Sequence, residues 1–126
     1  MSSWTADELD RIGEAEELQL ASYRPDGTLG PYTIMWVART GDELYTRSAY
    51  GPEARWYRRA LASGRGRIRA GGVERDVSFE PGDPGGNEPL DDEYRRKYGR
   101  YADDIVATVV GPHRYDVTVR LAPNEA

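Results

Sequence analysis

Arg47 and Ser48 end a strand-like stretch, and a small-residue turn with Gly51-Pro52 then leads to Arg55, which opens the run RWYRR. Guanidinium forks match phosphate and carboxylate oxygens bidentately, and a helix start offers free N–H groups in a positive potential. A strand-turn-helix bearing Arg47, Ser48 and Arg55 could therefore capture an oxyanion; the same arginines also suit a solvated basic helix face. Arg75 is the lone charge on an otherwise apolar strand face, so it needs either a ligand or an internal partner. Trp36, Trp56 and Tyr57 could stack on a planar ring or fill a core. His113 is the only histidine, which supports neither a catalytic triad nor a histidine metal site. No residue is singled out as catalytic, and no metal is expected.

The chain has 126 residues and no cysteine, which fits one domain over 1–126 and excludes disulfides, thiolate zinc sites and cysteine nucleophiles. Its N-terminus lacks a basic and apolar leader pattern and no stretch is long enough to span a bilayer, so a soluble, cytoplasmic protein is expected. A net charge of −5 argues against a general nucleic-acid binder. Charge is nevertheless uneven, with acids near the N-terminus and arginines crowded over 55–75.

These side chains need elements to hold them. Thr5 and Glu8 form a capping box for a helix running to about Gly13, with Trp4 stapling its start. An extended segment over 17–24 leads to a turn at Pro25-Asp26-Gly27-Thr28. Residues 32–39 are apolar on both alternating faces and predict one strand covered on both sides. A third strand spans 43–48, and Gly51-Pro52-Glu53 starts a helix to about Ser63 with Trp56, Tyr57, Ala60 and Leu61 inward. Gly71-Gly72 joins strands over 65–70 and 73–80, a primed-turn hairpin whose register pairs Ala70 with Val73, Arg69 with Glu74, Ile68 with Arg75, Arg67 with Asp76 and Gly66 with Val77. Residues 81–89 predict a mobile loop, serving as a lid or a plain connection. Asp91 caps a helix bearing the stripe Leu90, Tyr94, Tyr98 and Tyr101, and the valine-rich run over 102–110 is read as helix with strand as the alternative. Residues 113–121 alternate as a closing strand, with Tyr115, Val117, Val119 and Leu121 inward.

This order of elements is mainly β with flanking helices, and the segment from RPDGTLGPYTIMWVAR through VERDVSFE resembles the split β-barrel, FMN-binding-like superfamily of pyridoxamine 5′-phosphate oxidases and deazaflavin-dependent nitroreductases. Across nearly its whole length the chain is similar to a bacterial family of unknown function placed beside them. The resemblance implies a phosphate-bearing cofactor, FMN or a deazaflavin, held by Thr46, Arg47, Ser48 and Arg55, with Arg75 a further candidate. It also implies a homodimer with small-molecule sites at the subunit interface. Two departures are visible: WYRRAL lacks the asparagine and following proline of the deazaflavin enzymes, and Asp76 stands where the oxidases carry a flavin-contacting glutamine. The alternative is a cofactor-free enzyme or binding module on the same scaffold.

Overall fold

The computed structural model describes residues 4–82 and 86–124. Helix α1 (Ala6–Gly13) starts as its sequence dictates: the Thr5 hydroxyl accepts from the Glu8 N–H at 3.1 Å and the Glu8 carboxylate from the Thr5 N–H at 2.9 Å. Trp4 is buried beside it, its indole N–H donating to the Leu121 carbonyl at 2.9 Å. Strand β1 (Leu18–Ser22) follows, then β2 (Thr33–Met35), β3 (Ala38–Thr40) and β4 (Glu43–Arg47). A 3-10 turn (Gly51–Glu53) precedes α2 (Arg55–Ser63), which ends at Gly64 with φ 75°. Strands β5 (Arg65–Ala70) and β6 (Val73–Pro81) pair in the register that the Gly71-Gly72 turn demands. Helices α3 (Asn87–Tyr98) and α4 (Asp103–Val106), a 3-10 turn (Pro112–Val117) and β7 (Thr118–Pro123) complete the chain.

All strands join one antiparallel sheet in the order β2-β1-β5-β6-β7-β4-β3. The predicted single strand over 32–39 is in fact β2 and β3, which lie at opposite edges of that sheet. Only Trp36 and Val37 separate them, a span of roughly 10 Å at most. The edges must therefore meet, and the sheet curls into a half-barrel closed at this corner. The break is stable because side chains satisfy its backbone. Lys97 Nζ donates to the Val37 carbonyl at 2.7 Å, the Val37 N–H donates to the Tyr98 hydroxyl at 3.2 Å, and Thr46 Oγ1 donates to the Trp36 carbonyl at 2.8 Å. The expectation of cover on both faces fails at Ile34, which is 58% exposed.

Two apolar clusters result. One fills the curl with Leu18, Leu20, Leu44, Ile68, Val77 and Leu121, closed by α1 and α2. The other packs Leu90, Tyr94 and Tyr98 of α3 onto Ala38 and Tyr45 with Val106, Val109 and Val110. Several boundaries differ from the sequence reading. Helix α3 begins at Asn87, so Asp91 lies inside it and is not its cap. The helix expected over 102–110 is confined to α4, with β-branched Val109 and Val110 buried in turns after it. The last strand begins at Thr118, because Gly111 at φ 96° and Pro112 set up a 3-10 turn first. Leu61 of α2 is exposed where an inward position was expected. Of the loop expected over 81–89, residues 83–85 fall outside the described residues.

Candidate functional site

Strand β4 delivers Thr46 and Arg47, followed by Ser48, to the top of the sheet, and all three are buried. Every N–H of the Arg47 guanidinium has a protein acceptor. Nε donates to Thr118 Oγ1 at 2.9 Å, Nη1 to Asp91 and to the Val109 carbonyl at 2.9 Å, and Nη2 to the Asn87 carbonyl at 3.2 Å and side chain at 3.3 Å. Its planar face is held between the rings of Tyr94 and Tyr115, 5.6 and 5.2 Å from their centroids. Asp91 is satisfied in turn by the Tyr115 hydroxyl at 2.8 Å and the Gly111 N–H at 3.2 Å. Burial pushes the Asp91 carboxyl up, but the hydrogen bonds from Arg47, Tyr115 and Gly111 outweigh it and hold its pKa below the ordinary aspartate value. Thr46 braces the barrel break, and Ser48 Oγ donates to the Gly51 carbonyl at 2.6 Å, shaping the turn into α2.

Arg75 lies elsewhere: it reaches Glu8 of α1 at 2.8 and 3.0 Å, and its guanidinium covers Trp4 at 5.5 Å. Asp76 accepts from Arg67 Nε at 2.9 Å and from the Tyr23 hydroxyl at 3.0 Å, the structural pairing that the hairpin register predicts. His113 sits exposed in the last 3-10 turn.

Arg55 occupies the first position of α2 and faces a groove of about 800 Å³. The N-cap residue of the helix is Ala54, whose methyl group cannot cap it. Arg59, one turn on, lines the same groove. Among the described residues neither guanidinium group makes a hydrogen bond or ion pair. Ile34, Trp36, Ile105 and Tyr50, which is 84% exposed, also line the groove. One face of Trp36 stacks on Tyr98, with centroids 4.0 Å apart and planes 6° from parallel, which fixes the ring as part of the wall. Glu53 and Asp104 also line the groove, so it carries both signs of charge around an apolar middle. Among the described residues no group of three or more histidine, cysteine, aspartate or glutamate side chains is placed to hold a metal. No helix among them is long and apolar enough to cross a membrane.

Of the residues singled out from the sequence, Arg47 and Arg55 line the groove, Thr46 and Ser48 are buried on either side of Arg47 in the chain, and Arg75 is set apart. The partner of Arg47 was missed because Asp91 followed by Tyr94 and Tyr98 was read as a cap. Its i, i+3, i+7 spacing puts it on the buried face of α3 with those tyrosines.

Solved structures share this architecture at low identity. A conserved hypothetical protein from Mycobacterium tuberculosis superposes with a TM-score of 0.67 at 18% identity, over 98% of this chain and 83% of that one. A candidate pyridoxamine 5′-phosphate oxidase from Listeria innocua gives 0.63 at 15% identity, over 93% and 90%. An F420 reductase gives 0.59 at 17% identity, over 93% of each chain. These likenesses establish the split β-barrel fold. No curated protein matches the sequence. The model of one family matches residues 8–121, nearly the entire sheet and both apolar clusters, and the chain belongs to that family of uncharacterized proteins conserved in bacteria (DUF2255).

Proposed function

We propose that the groove between the β2–β3 corner and the start of α2 binds a phosphate-bearing, flavin-type cofactor, FMN or a deazaflavin, and that the protein is an oxidoreductase whose redox chemistry the cofactor supplies. The observation that carries this reading is the pairing, in one groove, of an apolar wall with an uncapped helix start bearing two unengaged arginines. A planar ring fits against Ile34 and Trp36, and a phosphate fits Arg55, Arg59 and the free N–H groups of α2. The volume lies within the usual range of roughly 300–1,000 Å³ for small-molecule sites. Structural neighbours described as an F420 reductase and a candidate pyridoxamine 5′-phosphate oxidase support the cofactor class. In this reading Thr46, Arg47 and Ser48 build the wall, Arg55 and Arg59 contact the ligand, and Arg75 anchors α1 to β6. A homodimer, with its second subunit against the exposed Ile34 and Tyr50, belongs to the same proposal.

The engagement of every Arg47 donor favours a second reading, a cofactor-free module for a small acidic metabolite. A visible spectrum separates the two. Protein incubated with excess FMN, FAD or F420 and then desalted should retain a stoichiometric chromophore; a colourless protein after all three would leave only the second reading.

A further inference from the structure

A second cavity, of about 650 Å³, opens further along the same face of α2, between the end of β1, the turn at 24–31 and the C-terminal half of the helix. Arg24, Arg59 and Arg65 line it and no carboxylate does, on a chain whose net charge is −5. The cations are positioned without being neutralised. Arg24 Nη1 donates to the neutral Thr28 Oγ1 at 3.3 Å and Leu29 carbonyl at 3.1 Å. Arg65 lies over the Tyr23 ring, 4.9 Å from its centroid. Arg59 makes no hydrogen bond or ion pair with a described residue. Two carboxylates lie within electrostatic reach, and both are already engaged: Asp26 accepts from Thr28, and Asp76 is held by Arg67 and the Tyr23 hydroxyl. Ser22, 6% exposed at the end of β1, also lines the cavity, and the Gly30 N–H donates to its carbonyl at 2.8 Å, which ties the 24–31 turn to the strand.

We propose that this cavity is a second ligand site, separate from the flavin-type groove, that takes a small organic phosphate. Three guanidinium groups suit a dianion with several acceptor oxygens better than a single carboxylate. Tyr23 and Pro31 give the rim an apolar surface for the body that carries the phosphate. The proposal does not rest on flavin binding, although Arg59 lines both cavities and its loss should weaken both.

The test is titration of the full-length ¹⁵N-labelled protein with inorganic pyrophosphate, followed by amide NMR, with acetate as a control. Saturable shifts are expected at Ser22, Tyr23, Arg24, Gly30, Ser63 and Arg65, whether or not Tyr50 and Glu53 of the other groove also move. Arg24→Ala and Arg65→Ala should each weaken binding about tenfold, the usual effect of losing a charged hydrogen bond, and Arg95→Ala on α3 should not. No saturable shift at millimolar pyrophosphate, or shifts confined to 49–55, would overturn the proposal. If either variant fails to fold, the wild-type shift map decides alone.

Discussion

Arg47 shows how one residue type can be read for chemistry and used for architecture. Its guanidinium joins β4 to α3, to the segment after α4 and to β7, so the charge sits inside a fully satisfied network. Removing only its carboxylate strands a buried cation, and Asp91→Ala should cost roughly 3–5 kcal/mol in urea unfolding. The pH dependence has a definite sign. Because the folded Asp91 pKa lies below its unfolded value, its contribution is complete above the ordinary aspartate range, about 3.9, and is lost as pH falls through the folded value. Asp91→Asn should therefore lose that part of the acid-side decline in melting temperature. Lys97 has the opposite history. Burial pushes its pKa down to about 8, against nearby Glu14, Glu93 and Glu16, while Nζ holds the Val37 carbonyl. Between that value and the unfolded lysine value of about 10.4, the unfolded chain binds more protons, so stability rises with pH. Relative to Lys97→Met, the wild type should gain melting temperature from pH 8 to pH 10; a constant difference would contradict the assignment.

Elements whose cues are local were legible in the sequence. The α1 capping box, the Gly64 stop of α2 and each hairpin pair set by Gly71-Gly72 follow from residues within a few positions of one another. Elements decided by distant partners were not. Residues 32–39 alternate as one strand, but Tyr98 and Lys97, far along the chain, satisfy the backbone where that strand breaks. Likewise Pro112 and Gly111 delay β7, a local signal outweighed in the reading by the clean alternation that follows it. Gly66 tests the packing of β5 directly. A Cβ there would come within 1.9 Å of the Ala21 carbonyl oxygen and 2.7 Å of the Phe79 ring. Gly66→Ala should destabilise by at least the roughly 1–3 kcal/mol typical of overpacking, measured by chemical unfolding. An unchanged midpoint would mean that β1 and β5 are not so closely apposed.

At the scale of the molecule, closure of the sheet through Trp36 and Val37 creates the site, because it sets the β2–β3 corner opposite the start of α2. The split β-barrel fold was readable through the resemblance carried by the segment from RPDGTLGPYTIMWVAR through VERDVSFE. The groove-lining arginines were only partly readable: Arg47 and Arg55 emerged from their places at a strand end and a helix start, whereas Arg59 required knowing which side of α2 faces a cavity. The exchange of roles between Arg47 and these two helix arginines is the central claim. It is tested most directly by titrating FMN and F420 into wild-type protein, Arg55→Ala and Arg95→Ala and following cofactor fluorescence. Saturable binding to the wild type and to Arg95→Ala, weakened roughly 10–100-fold in Arg55→Ala as expected for a lost charged hydrogen bond, is the predicted result. Equal binding by all three proteins, or no binding of either cofactor to the wild type, would contradict it.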